Sequence, residues 1–243
     1  MALTGKSIQV LFHEIPFTSY LDSVGVSRER PPLETTTLGA TDRTYVKGQR
    51  NGSMSFSGFY EDTSIDALDD DYANDENPII SVNYGTAAGS RANMIYGSES
   101  TVAINGSVTE LVRFDAEVNA VENAVEQGIL LLPLTTATST ANGDIFDRGA
   151  TATAPGGSIS QLHVSTISGT LATLVVTVET DTDPAMGTPA TVATFSTVTV
   201  AGGATAERKE SAVTMERYVR ATYTIGGTTP SVTLAVTFAS RQY

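Results

Sequence analysis

The sequence predicts an all-β protein with one short helix, and three observations support this fold class. Residues 53–59 alternate polar and apolar side chains strictly, the pattern of an antiparallel strand with one buried and one hydrated face. Short runs rich in Val, Ile, Thr and aromatic residues recur along the chain, separated by Gly, Asn and Pro turn signals. One stretch alone, residues 61–73, has the periodicity of an amphipathic helix.

Charge and composition exclude several classes of protein. The 243 residues carry a net charge of −13, and most of the excess acid lies in residues 1–140, which hold 19 Asp and Glu against 8 Lys and Arg. Gripping nucleic acid through its phosphates needs clustered basic residues, so such a protein is not expected. An acidic wall would repel DNA and let it slide past, while the simpler interpretation is that acidity keeps the protein soluble.

The chain also lacks cysteine, which excludes a disulfide framework and suits folding in a reducing cytoplasm. No apolar run approaches the ~18–20 residues that cross a bilayer. The N-terminus lacks the charged and then apolar regions of a signal peptide. We therefore expect no membrane segment.

In the first half of the chain, two Asn-Gly pairs mark expected hairpin turns. A type I′ turn needs positive φ at both central positions, so Asn51-Gly52 predicts that residues 44–46 fold back onto residues 53–59. Asn105-Gly106 predicts a second hairpin. The other strand candidates of this half are residues 6–12, 24–28, 78–84, 92–96, 101–104, 108–120 and 127–134.

A long polar excursion, residues 30–47, precedes the first of these Asn-Gly pairs. It contains two adjacent prolines and many threonines. Loops of this length inside a compact domain are usually functional or bound by a partner.

The predicted helix, residues 61–73, follows the alternating strand. Thr63 is a suitable N-cap with Asp66 three residues later, and Ile65, Leu68 and Tyr72 form one apolar stripe. Its carboxylates lie on the other face. A metal site there is conceivable, but a solvated face or a subunit contact is favoured, because consecutive carboxylates point in different directions.

The second half of the chain is predicted to form a β-sandwich. Strand candidates recur at regular spacing with turn signals between them, which is typical of sandwiches. Residues 135–143 are low in charge and in large apolar side chains, which predicts a linker. The predicted domains are therefore residues 1–136, a linker over 137–150 and a C-terminal β-sandwich over 151–243. Its strand candidates are residues 158–167, 171–180, 190–200, 211–215, 218–225 and 231–239.

The sequence offers no catalytic constellation. There are two histidines, His13 and His163, in different predicted domains, and a lone strand histidine such as His163 is usually structural. Zinc-protease, P-loop, Rossmann and nucleophile-elbow motifs are absent from the sequence. We expect no enzyme, and no catalytic, metal or cofactor site.

A diffuse motif covers the excursion and the alternating strand. Its residues are Glu34, Thr36, Thr37, Leu38, Gly39, Arg43, Tyr45, Gly48, Asn51, Gly52, Ser53, Ser55, Gly58, Phe59 and Tyr60, followed by the acidic predicted helix. In these residue types and spacings, the first half of the chain resembles bacteriophage tail tube (major tail) proteins.

This resemblance implies a structural virion protein. Such subunits form homohexameric rings that stack into a hollow tail tube, through which DNA passes without specific binding. The implied partners are further copies of the chain and other phage tail proteins, and the implied location is the virion tail after assembly in the host cytoplasm. The C-terminal domain would project outward as a decoration.

Two sets of residues are candidates for this function. The excursion would reach a neighbouring subunit or the next ring, and acidic residues near residues 108–120 would make the lumen negative. The inter-subunit candidates are Glu34, Thr36, Thr37, Leu38, Gly39, Arg43 and Tyr45, and the lumen candidates are Asp115, Glu117 and Glu122.

An alternative function rests on the C-terminal half. Residues 217–223, before a Gly-rich turn and a last strand, resemble jelly-roll sandwiches of the discoidin and carbohydrate-binding kind. The chain could then be a phage head-decoration or glycan-binding module with a host surface glycan as partner. This half has no Trp and three Tyr residues, so platforms for sugar stacking are few, and we favour ordinary strand roles for Tyr218 and Val219.

Overall fold

The computed structural model describes residues 5–37, 41–60, 77–107, 109–122, 124–149 and 157–240. Within these ranges the protein is all-β, as predicted, and its remaining regular elements are two short 3₁₀ helices at Gly5–Ser7 and Phe17–Tyr20. The predicted helix over residues 61–73 lies outside the described residues. In the described ranges we find no helix with the length and apolar character needed to span a bilayer.

The strands are antiparallel and are numbered here in chain order. They are β1 (Gln9–Phe12), β2 (Ile15–Pro16), β3 (Leu21–Glu29), β4 (Pro32–Glu34), β5 (Tyr45–Lys47), β6 (Asn51–Phe59), β7 (Ile79–Asn83), β8 (Arg91–Asn105), β9 (Arg113–Ala120), β10 (Glu126–Ala137), β11 (Ala141–Asn142), β12 (Phe146–Asp147), β13 (Ser158–Asp181), β14 (Ala190–Thr194), β15 (Val198–Thr199), β16 (Thr205–Ser211) and β17 (Tyr218–Ser240).

The chain forms two compact units, each assembled from separate segments. The large unit contains Met1–Ser19, Ile79–Met94 and Gln127–Tyr243, and the small unit contains Tyr20–Pro78 and Ile95–Glu126. The sequence predicted a contiguous division at residues 137–150. Whether residues 151–243 fold independently stays a prediction.

The large unit is organised around two long strands, β13 and β17, which pair with each other from Ser158↔Ser240 to Asp181↔Tyr218. The strand order is β14-β13-β17-β10-β8-β7-β1-β2, with β15 and β16 also on β13, and β11 and β12 on β17. Side chains from both halves of these two strands share one apolar core. Its members include Leu162, Val164, Leu174, Val176, Val219, Leu234, Val236 and Phe238.

Both long strands bend at their middle instead of ending there. The pairing register shifts between Ser168 and Thr173, where Gly169 has φ +111° and Gly227 on the partner strand has φ +105°. Glycine adopts positive φ without the Cβ clash that other residues meet. The turns predicted at Ser168-Gly169 and Gly226-Gly227 are therefore bends within continuous strands. The four strands predicted at residues 158–167, 171–180, 218–225 and 231–239 are in fact the two long strands β13 and β17.

The small unit contains a four-stranded antiparallel sheet in the order β3-β6-β9-β8. The alternation predicted for β6 is confirmed. Met54 and Phe56 on β6, and Phe114 and Val118 on β9, are no more than 2% exposed and form the apolar face of this sheet. The opposite face of the sheet is open to solvent.

The hairpin predicted at Asn51-Gly52 is wrong. Both residues lie at the start of β6, and Gly52 does not have the positive φ of a type I′ turn. Residues 45–47 pair with Pro32–Glu34, while β6 pairs with β3 and β9. Two neighbouring strands already occupy both edges of β6, which leaves no edge for residues 44–46.

Other boundaries also differ from the prediction. The strands β8 and β9 pair as a hairpin, but the two-residue turn predicted at Asn105-Gly106 is wrong, because Asn105 still pairs with Arg113 and Gly106 lacks a positive φ. In the predicted linker, residues 141–142 and 146–147 instead pair with β17. The strand predicted at 211–215 lies earlier, at Thr205–Ser211, where four consecutive charged residues (207–210) concealed it.

Candidate assembly surfaces

A two-stranded hairpin, here called the ribbon, occupies most of the predicted excursion. It consists of β4 and β5 with the residues between them, of which 38–40 lie outside the described residues. Pro32 pairs with Lys47, Leu33 with Val46 and Glu34 with Tyr45. All residues of both strands are exposed.

The ribbon displays large apolar side chains to solvent. Leu33 is 55% exposed, Tyr45 53% and Val46 50%. Directly paired residues of an antiparallel hairpin point to the same face, so Leu33 and Val46 form one apolar face. A two-stranded hairpin on its own is marginally stable in water. A surface of this kind gains stability when a partner covers it.

Hydrogen bonds fix the base of the ribbon. The Gly48 amide donates to the Pro31 carbonyl at 3.0 Å, and Arg30 Nε donates to the Gly48 carbonyl at 3.0 Å. A Cβ at position 48 would lie 2.2 Å from the Pro31 oxygen, so glycine is required for this close approach. The ribbon therefore leaves the sheet in a defined direction.

Most sequence-predicted inter-subunit residues lie on this ribbon. Glu34 and Tyr45 are in its strands, and Arg43 approaches Glu34 at 4.0 Å in an exposed ion pair. Thr36 Oγ1 accepts a hydrogen bond from the Thr44 amide at 3.0 Å. Thr37 is exposed, and Leu38 and Gly39 lie outside the described residues. Sequence reasoning missed Leu33 and Val46, although they are strand-forming residues within a polar stretch.

The solvent side of the four-stranded sheet, here called the polar face, is made of small hydroxyl residues and carboxylates. Ser55 pairs with Glu117 and Ser57 with Asp115, which places these four side chains on one side. The pairing extends that side onto β3 and β8. The polar face comprises Ser23, Ser53, Ser55, Ser57, Thr101, Asp115, Glu117 and Asn119.

The centre of the polar face is a shallow depression of about 280 Å³, with Asp115 and Glu117 in its lining. Neither carboxylate forms an ion pair with another described residue. The third lumen candidate, Glu122, is exposed in the turn after β9, beyond the end of the strands. The structure thus places two of the three predicted lumen residues side by side.

One cation lies at the end of the polar face, where it is already paired. Arg113 forms an ion pair with Asp22 and lies over the Phe59 ring, with its guanidinium carbon 5.1 Å from the ring centre. The hydrogen bond from Arg113 lowers the pKa of Asp22. The electrostatic character of the face is therefore set by Asp115 and Glu117.

The large unit contains a buried histidine, His163, that is hydrogen-bonded through both ring nitrogens. This histidine is 1% exposed, its Nδ1 donates to the His13 carbonyl at 2.6 Å, and its Nε2 lies 3.1 Å from Ser81 Oγ. A carbonyl only accepts, so Nδ1 carries a proton, and in the neutral ring the Ser81 hydroxyl donates to Nε2. Burial lowers the pKa of His163 to about 4. Because Ser81 is 0% exposed, this pair is inaccessible to a substrate.

Tyr218, the aromatic residue considered for a glycan site, is engaged by an arginine. The Arg217 guanidinium lies 5.1 Å from the centre of the Tyr218 ring and donates to both carboxylate oxygens of Asp147 at 2.7–2.8 Å. These bonds lower the pKa of Asp147 to about 2. Sugar stacking on this face of Tyr218 would displace the guanidinium.

Among the described residues, we find no cluster of three or more His, Asp or Glu side chains that could hold a metal ion.

No protein-family model and no curated protein matches the sequence. Among solved structures, a chain from the virion of a native gene transfer agent particle matches 51% of this chain and 98% of its own length, with a TM-score of 0.42 and 15% identity. A chain of the sheath-tube complex of an extracellular contractile injection system matches 53% of this chain and 93% of its own length, with a TM-score of 0.41 and 12% identity.

A third solved structure spans nearly the whole chain. The Dit protein of phage SPP1, from the hub adsorption apparatus of phages that infect Gram-positive bacteria, matches 95% of this chain and 98% of its own length, with a TM-score of 0.38 and 11% identity. These are distant structural similarities to tail components of phages and related particles. TM-scores in this range do not assign a function.

Proposed function

We propose that this chain is a structural subunit of a phage-like tail tube, in which rings of subunits stack around a channel for DNA. The observation that carries the proposal is the four-stranded sheet of the small unit, which buries one face and keeps the other small, hydroxylated and acidic. The motif shared with tail tube proteins supports it independently. Six subunits per ring, other tail proteins as partners and a location in the virion tail follow from that resemblance.

The outer strands of this sheet suit ring closure. Among the described residues, β3 pairs only with β6, so its outer edge presents free backbone amides and carbonyls. An open sheet edge is an aggregation hazard unless it is covered. Pairing of β3 with β8 of the next subunit would cover it and continue one sheet around a closed ring.

The polar face fits the inner wall of such a ring. Serine and threonine side chains are too short to stack on bases, and Asp115 and Glu117 repel phosphates. Repeated around a ring, this surface would present a negative wall with few adhesive groups, on which DNA slides without binding. As the resemblance implies, residues 151–243 would be an outward decoration of the tube.

The proposal is tested by negative-stain electron microscopy of the purified chain over a concentration series, with and without DNA-free tail extracts as initiators. We expect rings or hollow tubes. Particles that remain monomeric at every concentration, with initiator present, would contradict the proposal.

A second prediction concerns the charge of the polar face. Replacing both carboxylates with lysine (Asp115→Lys, Glu117→Lys) should leave assembly intact, because both side chains are exposed, but should turn the wall basic. We expect DNA affinity in a filter-binding assay at low salt to rise at least tenfold and to fall steeply as salt is added.

A matched control carries the same charge change on the large unit, at the exposed residues Asp144 and Asp183 (Asp144→Lys, Asp183→Lys). It should bind DNA much less than the polar-face variant. Equal binding by the two variants would show that net charge, and not its position on the polar face, decides the interaction.

A further inference from the structure

The chain contains three Asn-Gly pairs, at Asn51-Gly52, Asn105-Gly106 and Asn142-Gly143. Asparagine before glycine is the sequence most prone to spontaneous deamidation, because glycine has no Cβ to hinder attack of its backbone nitrogen on the asparagine side chain. The first two pairs are both followed by serine, so their local sequences match closely. A large difference in reactivity between these two pairs would therefore come from the fold.

The reaction closes a succinimide ring. The backbone nitrogen of the glycine loses its proton to water or hydroxide and attacks the asparagine Cγ. The new C–N bond forms as the Cγ–Nδ2 bond breaks, and the leaving nitrogen takes a proton from water and departs as ammonia. Water then opens the ring at either carbonyl carbon, which leaves aspartate or isoaspartate. Ring closure thus needs a free glycine amide and a backbone that can leave the extended conformation.

The Asn51-Gly52 pair is held at the start of β6. Both residues pair with β3, and Gly52 is buried. The Gly52 amide donates to Asn51 Oδ1 at 2.8 Å, so the nitrogen faces that side chain with its hydrogen and not with its electron pair. Ring closure here requires local opening of the sheet, which costs free energy.

The Asn142-Gly143 pair is held in the large unit. Asn142 pairs with Thr222 as part of β11, and the Gly143 amide donates to the Ala221 carbonyl at 2.8 Å. This bond must break before the nitrogen can attack. Local opening is therefore needed at this pair as well.

The Asn105-Gly106 pair is in a different situation, because β8 ends at Asn105 and Gly106 lies exposed beyond it. One more rung of the ladder would offer the Val112 carbonyl to the Gly106 amide, but that carbonyl accepts from the Tyr60 amide at 2.9 Å. Among the described residues, we find no acceptor bonded to the Gly106 amide. Nothing described here holds this nitrogen away from the asparagine side chain.

The side chain of Asn105 belongs to the polar face. Its ladder partner is Arg113, and Arg113, Asp115 and Glu117 occupy alternate positions of β9, so they share one side of the sheet with Asn105. Arg113 already forms an ion pair with Asp22. A carboxylate at position 105 would lie opposite this guanidinium, compete with Asp22 for it and make the polar face more acidic.

We propose that Asn105 is a site of spontaneous deamidation, which adds a carboxylate to the polar face as the protein ages. Asn51 and Asn142 stay intact in the folded chain. The isoaspartate product inserts one extra carbon into the backbone at the last rung of β8, so the preceding rungs of the ladder keep their pairing. This modification does not depend on the tail tube function.

Peptide mapping by mass spectrometry tests the proposal on the purified chain, incubated at mildly alkaline pH and at concentrations below assembly. We expect Asn105 to deamidate at least tenfold faster than Asn51 or Asn142, and to yield both aspartate and isoaspartate. The same incubation in urea removes the fold and should bring Asn51 to a rate similar to that of Asn105. Asn105→Gln is the control variant and should lose the acidic shift that the parent develops on isoelectric focusing.

Three results would overturn this site. The first is deamidation of Asn51 or Asn142 in the folded chain as fast as that of Asn105. The second is an Asn105 that stays intact in the folded chain while it converts in urea, because the fold would then protect it. The third is an acidic shift that develops equally in Asn105→Gln, since the new charge would then arise at another residue.

Discussion

Deleting residues 35–46 is expected to abolish assembly while leaving a folded subunit. The deletion removes the outer ribbon with Tyr45 and Val46 but keeps Arg30, Pro31 and Gly48, whose hydrogen bonds fix the base. No side chain of β4 or β5 is buried, so the core of the small unit loses nothing. We expect the far-UV circular dichroism of a β protein, a Tm within a few degrees of the parent, and monomers by electron microscopy.

A finer variant keeps the backbone of the ribbon and changes its surface. Leu33→Asp with Val46→Asp places two charges on the apolar face of the ribbon, which we expect a neighbouring subunit to cover. Burying unpaired carboxylates is costly, so tube formation should fall by at least tenfold in yield. The control is Leu171→Asp in the large unit, which is more exposed than either and should assemble normally. Intact tubes from the variant that lacks residues 35–46 would contradict the assembly role of the ribbon.

The fold class and many strands could be predicted from local pattern alone. The alternation of residues 53–59 correctly identified Met54 and Phe56 as the buried positions, because a strand places successive side chains on opposite faces. Asp115 and Glu117 were suggested by the resemblance to tail tube proteins and not by this rule, and both lie on the solvent-facing side of β9. Glu122 lies after the strand ends, so the rule could not place it.

The errors came from turn signals that tertiary structure overrode. Asn51-Gly52 has the sequence of a hairpin turn, but both residues pair with β3 and are held extended at the start of β6. Gly169 and Gly227 do adopt positive φ, yet both lie where the pairing of β13 with β17 shifts register, and the two strands continue past them. A single sequence shows which residues permit a turn and not whether the pairing partners continue beyond it.

The ribbon and the His163 site depend on contacts between distant residues. Leu33 and Val46 form a surface only because the chain between them folds back, and nothing in their immediate neighbours fixes that pairing. His163 meets the His13 carbonyl across 150 positions of the sequence. Such sites could be suspected from residue type but not located.

Acidification is expected to have the second large effect, a loss of stability of the folded protein. His163 is neutral in the folded protein, with its pKa lowered from 6.5 to about 4 by burial. The unfolded chain takes up a proton on this histidine below about pH 6.5, while the folded chain does so only near pH 4. The contribution of His163 to the unfolding free energy is therefore fully present above about pH 6.5 and is lost as the pH falls toward 4. The pKa difference corresponds to a loss of roughly 3 kcal/mol of unfolding free energy.

Geometry explains why the folded protein resists this proton. Nδ1 already donates to the His13 carbonyl, and Nε2 accepts from the Ser81 hydroxyl. A second proton on Nε2 would reverse that bond, with Ser81 Oγ as the acceptor, and would leave a cation at a site that is 1% exposed. An uncompensated buried charge is among the most destabilising changes in a protein interior.

Two variants isolate this contribution, because the chain has only two histidines. His163→Gln keeps a hydrogen-bonding side chain that does not titrate, so its unfolding free energy should change little between pH 6.5 and 4. His13→Asn keeps the backbone carbonyl and suits the positive φ of 49° at that position, so it should retain the acid sensitivity of the parent. Urea unfolding at half-unit steps of pH, at concentrations below assembly, measures both. If His163→Gln and the parent lose stability in parallel over this range, the acid sensitivity does not come from His163 and its burial does not control the stability of the large unit.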